Sequence, residues 1–458
     1  MLKTFIITAL FIALAFEQTT AQQKKIDPFT FIPTKNDSSM FIEDLRTIEK
    51  NYQTSIETIS GKLKKEYIKI YAERFENIKS YFTEKKLLTN KAAHQYLQQI
   101  TAEIKSSNPK LQDLPIKIFF AKSDVPNAAY LGENMIVFNL GLFYRLNNES
   151  EVAFVICHEL AHLYNKHSDN QINKYVQTVF SDEFQKELRS INKLQYKTRE
   201  KIEKLALNIG LSNSKHSRFK ETEADSLGLE FFSNTKFDQG AALNVLEILD
   251  KLDDEKFNTE AALRQYFGNS EFPFKEKWLE KEEGLFGGHA TDVYEEMNDS
   301  LKTHPDCKKR IIEIKKLQQN KSQFGNNNHK NLNSAQEFES FSKSFKLEVI
   351  ESAYQNNNHA AALFYAFKVL DSTQIQPFIV VKIGKIFKDF YTYQQRHELG
   401  NIALMPSPQY PKDFNLLLQF IQNIELEDYK KIGYYFLKSF QHQLATNSSY
   451  QNQLQLTK

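Results

Sequence analysis

The sequence predicts a predominantly helical α+β fold, with one small sheet set among helices and a further helical module at the C-terminal end. Three patterns carry that reading. Residues 36–110 repeat apolar side chains at helical spacing, residues 114–139 switch to short strand-like runs, and the chain from 335 onward returns to helical period. A length of 458 residues gives material for two or three cores, and a net charge of +2 gives no reason to expect nucleic acid or an anionic membrane as partner.

Taken in order, the chain opens with Lys3, an apolar run from Phe5 to Phe16, and Thr19-Thr20-Ala21 before Gln22. That is the layout of a cleavable export signal over residues 1–21. The run is too short to span a bilayer, and no other stretch reaches the roughly 18 apolar residues that a transmembrane helix needs. An exported protein is expected, periplasmic or secreted, with no transmembrane span. Residues 22–112 read as an N-terminal helical region, with Leu45, Ile48, Tyr52, Ile56 and Ile59 on one stripe and Tyr67, Tyr71, Phe75 and Ile78 on another. Leu114 to Ala121 reads as a strand. Asn127 to Leu131 and Met135 to Asn139 follow as a hairpin about a Gly132-Glu133-Asn134 turn. An exposed edge strand can hold an extended peptide by backbone hydrogen bonds, so Asn127, Ala128, Met135, Ile136, Val137 and Phe138 are candidate substrate contacts; an internal strand is the alternative.

Next, Asn148-Glu149-Ser150-Glu151 supplies a side-chain cap with a Glu three residues on, ahead of an apolar face made by Val152, Phe154, Val155, Ile156 and Leu160. A helix is expected from there through His162. It carries His158-Glu159-Leu160-Ala161-His162, and spacing of i and i+4 puts both imidazoles on one face. Two neutral imidazoles can hold a zinc ion, while Glu159 takes the proton of a water that attacks a peptide carbonyl. A near copy, His397-Glu398-Leu399-Gly400-Asn401, has Asn in place of the second imidazole and reads as a helix end. The two cysteines, Cys157 and Cys307, read as a small buried thiol and an unrelated loop thiol rather than a bridge.

A catalytic zinc needs a third protein ligand. One spacing points to Ser168, with His167 beside it out of step, and another to Asp182 and Glu183. A third points to Glu221-Thr222-Glu223-Ala224-Asp225, where Glu221 and Asp225 share a helix face and Asp225 is placed to bond a ligand imidazole.

His158-Glu159-Leu160-Ala161-His162, the downstream Glu221 to Asp225 stretch, the Asn127-Ala128 hairpin, and Thr303-His304-Pro305 followed by Arg310 resemble the gluzincin family of HtpX, BepA, Oma-type and CAAX prenyl proteases. The resemblance spans about residues 90–320 and is to a soluble, exported, BepA-like member. It implies a zincin-like metallopeptidase domain, placed at 113–318, with one Zn2+ per chain on His158, His162 and Glu221. Glu159 would be the general base and Asp225 a support behind the ligands. His304 and Arg310 would be catalytic, stabilising the transition state or the site, and His304 could also take the fourth zinc position and hold the enzyme latent. Departures from the family are the missing membrane spans, which argue against a prenyl-peptide substrate, and a long helical stretch before Glu221.

The expected activity is an endopeptidase acting on unfolded or misassembled envelope proteins, in the manner of quality control. The rival is a chaperone-like or assembly scaffold whose zinc is closed by His304. A second rival is a thermolysin-type secreted enzyme that uses Glu183. Residues 170–210 are Lys/Glu-rich and read as solvated helix, and residues 319–334 as an Asn-rich linker. Within 335–458, Ala353-Tyr354 and His359 to Ala366 resemble a tetratricopeptide hairpin, which Asp428 to Phe440 echoes; an irregular bundle is the alternative, and either would contact protein partners.

Overall fold

Three short strands form the sheet beside which the candidate site is built: β1 (Lys117–Ala121), β2 (Ala128–Gly132) and β3 (Met135–Asn139). The computed structural model describes residues 25–193, 218–252, 257–280, 307–319, 330–370 and 374–457. The expected signal segment 1–21 and His304 lie outside them. The chain divides into two compact units, one of residues 32–256 and 283–352, the other of residues 1–31, 257–282 and 353–458. Residues 257–282, inside the stretch expected to be peptidase, thus group with the C-terminal part.

In the first unit the strand order is β1-β3-β2, with β3 parallel to β1 and antiparallel to β2. Strand β3 is therefore central. Met135 and Val137 share a core with Phe41, Ile48, Tyr52, Phe75 and Ile78, while Phe138 meets Phe120 and Phe143 edge-on. A strand covered on both faces reads as an unbroken apolar run, which is what Met135 to Phe138 supply. This corrects the expectation that Met135, Ile136, Val137 and Phe138 touch substrate, because β3 is paired along both edges. The free edge nearer the site belongs to β2.

The N-terminal helices α1 (Ile42–Glu57) and α2 (Lys64–Thr83) lie against that core, and Tyr52 stacks on Phe75 with ring centres 4.4 Å apart. Of the two expected stripes, Ile48, Tyr52, Phe75 and Ile78 are the buried members on these helices. Arg74 of α2 also grips the β2–β3 turn. It donates to Glu133 Oε1 at 2.6 Å and to Asp169 Oδ1 at 2.7 Å, and the Glu133 side chain is only 2% exposed. The turn runs left-handed, with φ of +103° at Gly132, +50° at Glu133 and +62° at Asn134. A Cβ on Gly132 would stand 2.7 Å from Arg74 Nε, so glycine serves both the backbone and the approach of the guanidinium.

The rest of the first unit comprises α3 (Lys91–Ser107), α4 (Glu149–Tyr164), α5 (His167–Val179), α6 (Asp182–Asn192), α7 (residues 218–233), α8 (Ala241–Leu252), α9 (Cys307–Gln319) and α10 (Ala335–Gln355), whose end from Ala353 belongs to the second unit. Phe338 and Phe345 of α10 pack on Phe143, with ring centres 4.9 Å away in each case. Glu149 is buried at the start of α4 and accepts from the backbone amides of Leu332 and Asn333, so part of the expected linker is tied down.

The second unit has helices Thr259–Phe267, His359–Leu370, Pro377–Gln395, Lys412–Asn423, Leu426–Ser439 and Ser448–Leu456, and Phe267, at the end of the first, contacts rings from the next four: Phe367, Phe387, Phe420 and Phe436. Lys25–Ile26 pairs in parallel with Gln374–Ile375. The helix Pro377–Gln395 ends just before His397, where φ is +57°, so the near copy of the metal motif lies at a helix end as expected. Among the described residues no helix is long and apolar enough to cross a membrane.

Candidate active site

Helix α4 starts where the sequence places it. Asn148 is the N-cap, its side chain accepting from the Glu151 amide at 3.1 Å, while Glu151 Oε2 accepts from the Asn147 amide at 2.6 Å. Almost every residue of the helix is buried, so it runs through the interior rather than along the surface. That fixes its rotation and sets His158, Glu159 and His162 at its C-terminal half.

Helix α7 crosses α4 at His158. A Cβ on Gly228 would come within 3.0 Å of the His158 Cα, so the glycine lets the two backbones meet. Seven residues earlier on α7 is Glu221, whose Oε2 stands 3.5 Å from His158 Nε2 and whose Oε1 stands 3.4 Å from His162 Nε2. The two Nε2 atoms are 3.1 Å apart. Ligand atoms at about 2.0–2.1 Å from a tetrahedral zinc are separated by about 3.3–3.4 Å, so this triangle fits one face of such a site. Glu221 Oε2 is also buried and makes no well-formed hydrogen bond, its nearest charged neighbour being Arg310 Nη1 at 3.2 Å. Glu159 brings an oxygen within 4.8 Å of the imidazole nitrogens as well, but its Oε2 already accepts from the Tyr130 amide at 2.7 Å. Glu221, touching both imidazoles, fits the third ligand position better.

The model of Peptidase family M48 matches residues 88–318, half of the chain. The chain belongs to family M48. No curated protein matches it. It is a peptidase, and the groups around the three candidate ligands of this M48 peptidase are arranged as follows.

Asp225, one turn after Glu221, places Oδ1 3.0 Å from His158 Nδ1. Arg310 of α9 is buried and donates twice to Asp225, from Nε to Oδ2 and from Nη2 to Oδ1, each at 2.7 Å; its Nη1 lies 3.2 Å from Glu221 Oε2. Burial alone would raise both carboxylates, but Arg310 and then His158 outweigh it at Asp225 and hold it low, and at Glu221 the two imidazoles and then Arg310 outweigh it and hold it well below the ordinary carboxylate value. Burial pulls His158 down, yet Asp225 and then Glu221 overcome it and lift it to about 10. So much negative charge facing the imidazoles is what a site for a cation needs. Burial raises Glu159 above the ordinary carboxylate value, only partly offset by the imidazoles and the Tyr130 amide.

Of the two roles the resemblance implied for Arg310, stabilising the site or stabilising the transition state, its contacts fit the first: both 2.7 Å bonds go to Asp225, behind the candidate ligands. Asn127 and Ala128 do line the cleft over His158, Glu159 and His162, joined by Ala129 and Tyr130 of the same edge strand. Asp182 and Glu183 sit in the first turn of α6, and Ser168 bonds Arg74. Cys157 and Cys307 are both buried, and no disulfide joins them.

One residue set aside in the sequence is drawn in. His167 is buried, and its Nδ1 lies 2.8 Å from His162 Nδ1; burial first and then His162 push it down to about 4. The signal for it was the pair Asn165-Lys166, where the chain turns left-handed at Lys166 (φ +53°) and brings the next imidazole back toward α4.

Proposed function

We propose that this M48 peptidase is a zinc-dependent endopeptidase that cleaves unfolded or misassembled envelope proteins. The observation that carries the zinc reading is the triangle of His158 Nε2, His162 Nε2 and a Glu221 carboxylate with edges of 3.1, 3.4 and 3.5 Å. His158, His162 and Glu221 would hold one zinc ion per chain, which when bound polarises the scissile carbonyl and acidifies the attacking water. Glu159, its Oε2 held by the Tyr130 amide, keeps the other oxygen to take that water's proton and pass it to the leaving amine. Arg310 and Asp225 keep His158 oriented.

Substrate would lie as an added strand along β2. Asn127 C=O faces β3, accepting from the Asn139 amide, and Tyr130 N–H faces Glu159, so alternation turns the Ala128 and Tyr130 backbone groups outward. Backbone pairing tolerates many sequences, which suits a client defined by being unfolded. Export rests on the signal-like layout of residues 1–21, and the helical C-terminal part, with its tetratricopeptide resemblance, is the candidate surface for protein partners.

Metal analysis beside casein hydrolysis, for wild type and Glu159→Gln, tests the reading. Wild type should carry one zinc and cleave. Glu159→Gln should carry the same zinc and lose about 10²–10⁴-fold in rate. A Glu159→Gln protein that still hydrolyses casein at the wild-type rate rejects the mechanism.

A further inference from the structure

His167 is a buried imidazole with no part in the chemistry above. It opens α5 immediately after the left-handed turn at Lys166, and α7 holds it from two sides. Lys220 Nζ donates to the His167 carbonyl oxygen at 2.9 Å, and Glu223 Oε2 lies 3.4 Å from His167 Nε2. On its remaining side it faces His162, Nδ1 to Nδ1, at 2.8 Å.

Two ring nitrogens at that separation bond only when one carries hydrogen and the other does not. If His162 turns a bare Nε2 to a metal, its single proton sits on Nδ1. His167 must then offer a bare Nδ1 and carry its own proton on Nε2, the nitrogen that faces Glu223. The Nδ1–Nδ1 contact carries this assignment, and the Glu223 carboxylate 3.4 Å from Nε2, near it though not hydrogen-bonded to it, is compatible with a proton there.

We propose that His167 is a positioning residue for His162: by accepting the Nδ1–H it fixes that ring's tautomer and rotation so that the Nε2 lone pair points at the zinc position. The assignment rests on the zinc reading. It gives each imidazole ligand its own support, Asp225 for His158 and His167 for His162. It also makes α7 the holder of both the third ligand and the clamp on the second.

The test is the zinc dissociation constant, by chelator competition, of full-length wild type, His167→Phe and His167→Asn, with the melting temperature of each metal-free protein alongside. Phe fills the volume without an acceptor; an Asn side-chain oxygen can stand near the place of Nδ1 and accept the same hydrogen. His167→Phe should bind zinc about 10–100-fold more weakly, the range found when such supports are removed, and His167→Asn should recover most of that loss. The metal-free melting temperatures of the two variants should not follow the same order. Wild-type affinity in His167→Phe, or a His167→Asn protein as weak as His167→Phe, overturns the proposal while leaving the zinc reading intact. A wild-type protein that binds no zinc overturns both.

Discussion

In the proposed zinc site, Arg310 would act on a reaction it does not touch. Its guanidinium is buried and committed to Asp225 by two bonds of 2.7 Å, and Asp225 in turn faces His158 Nδ1. Removing the cation strands a buried carboxylate, which costs about 3–5 kcal/mol. Arg310→Met should therefore lower stability by about that amount and weaken zinc binding, while Arg310→Lys, which keeps the charge but one bond fewer, should fall between. With zinc at saturation, Arg310→Lys should keep kcat within about tenfold of wild type, since its effect runs through affinity. A loss of several orders of magnitude in kcat at full zinc occupancy would put Arg310 on the reacting atoms instead. At this scale the sequence was informative where helical spacing governs: His158 with His162, and Glu221 with Asp225, each sit four residues apart on one helix. It set His167 aside as out of step, because five residues after His162 is off the helical face until the turn at Lys166 returns the chain.

Between elements, the crossing of α4 and α7 at Gly228 sets the distance from Glu221 to the imidazoles. Gly228→Val would force a branched side chain against the His158 backbone, 3.0 Å from even a bare Cβ, and push α7 outward. Overpacking of this kind costs about 1–3 kcal/mol, and here it should also part the ligands. Zinc content in Gly228→Val should drop well below that of wild type even under conditions where circular dichroism finds it folded. Full zinc content would mean that the ligand triangle tolerates a wider crossing. The sheet was only half legible. A run such as Met135 to Phe138 announces a buried strand, but whether it lies at an edge or in the middle depends on pairing with β1, which no local pattern encodes. The edge role passed to Ala128 to Gly132, whose middle residues are only half-buried.

For the whole molecule, pH dependence can be sought away from the metal. Glu348 of α10 is buried and accepts from the Thr34 amide at 3.1 Å; burial raises it above the ordinary carboxylate value, and the amide offsets part of that. A carboxyl whose pKa is higher folded than unfolded contributes stability that is whole below the unfolded value and is lost as pH climbs through the folded one. Glu348→Gln, which can still accept from Thr34, should melt higher than wild type near about pH 8 and level with it near about pH 4. A variant that melts lower at about pH 8 would mean that the charge itself is stabilising. The helical character of both units was readable from periodicity, whereas the grouping of 257–282 with 353–458 was not, since it is settled by contacts far apart in sequence.

The clamp made by Arg74 carries a practical warning about where this enzyme may be cut. A fragment trimmed to residues 88–318 would retain all the proposed zinc ligands, but the cation beneath the β-hairpin tip and the Phe338 and Phe345 rings would be gone. Glu133 would then be marooned without a counter-charge and one side of the sheet laid open to water, so an inert fragment of that length would speak to missing scaffolding and leave the proposed chemistry unjudged.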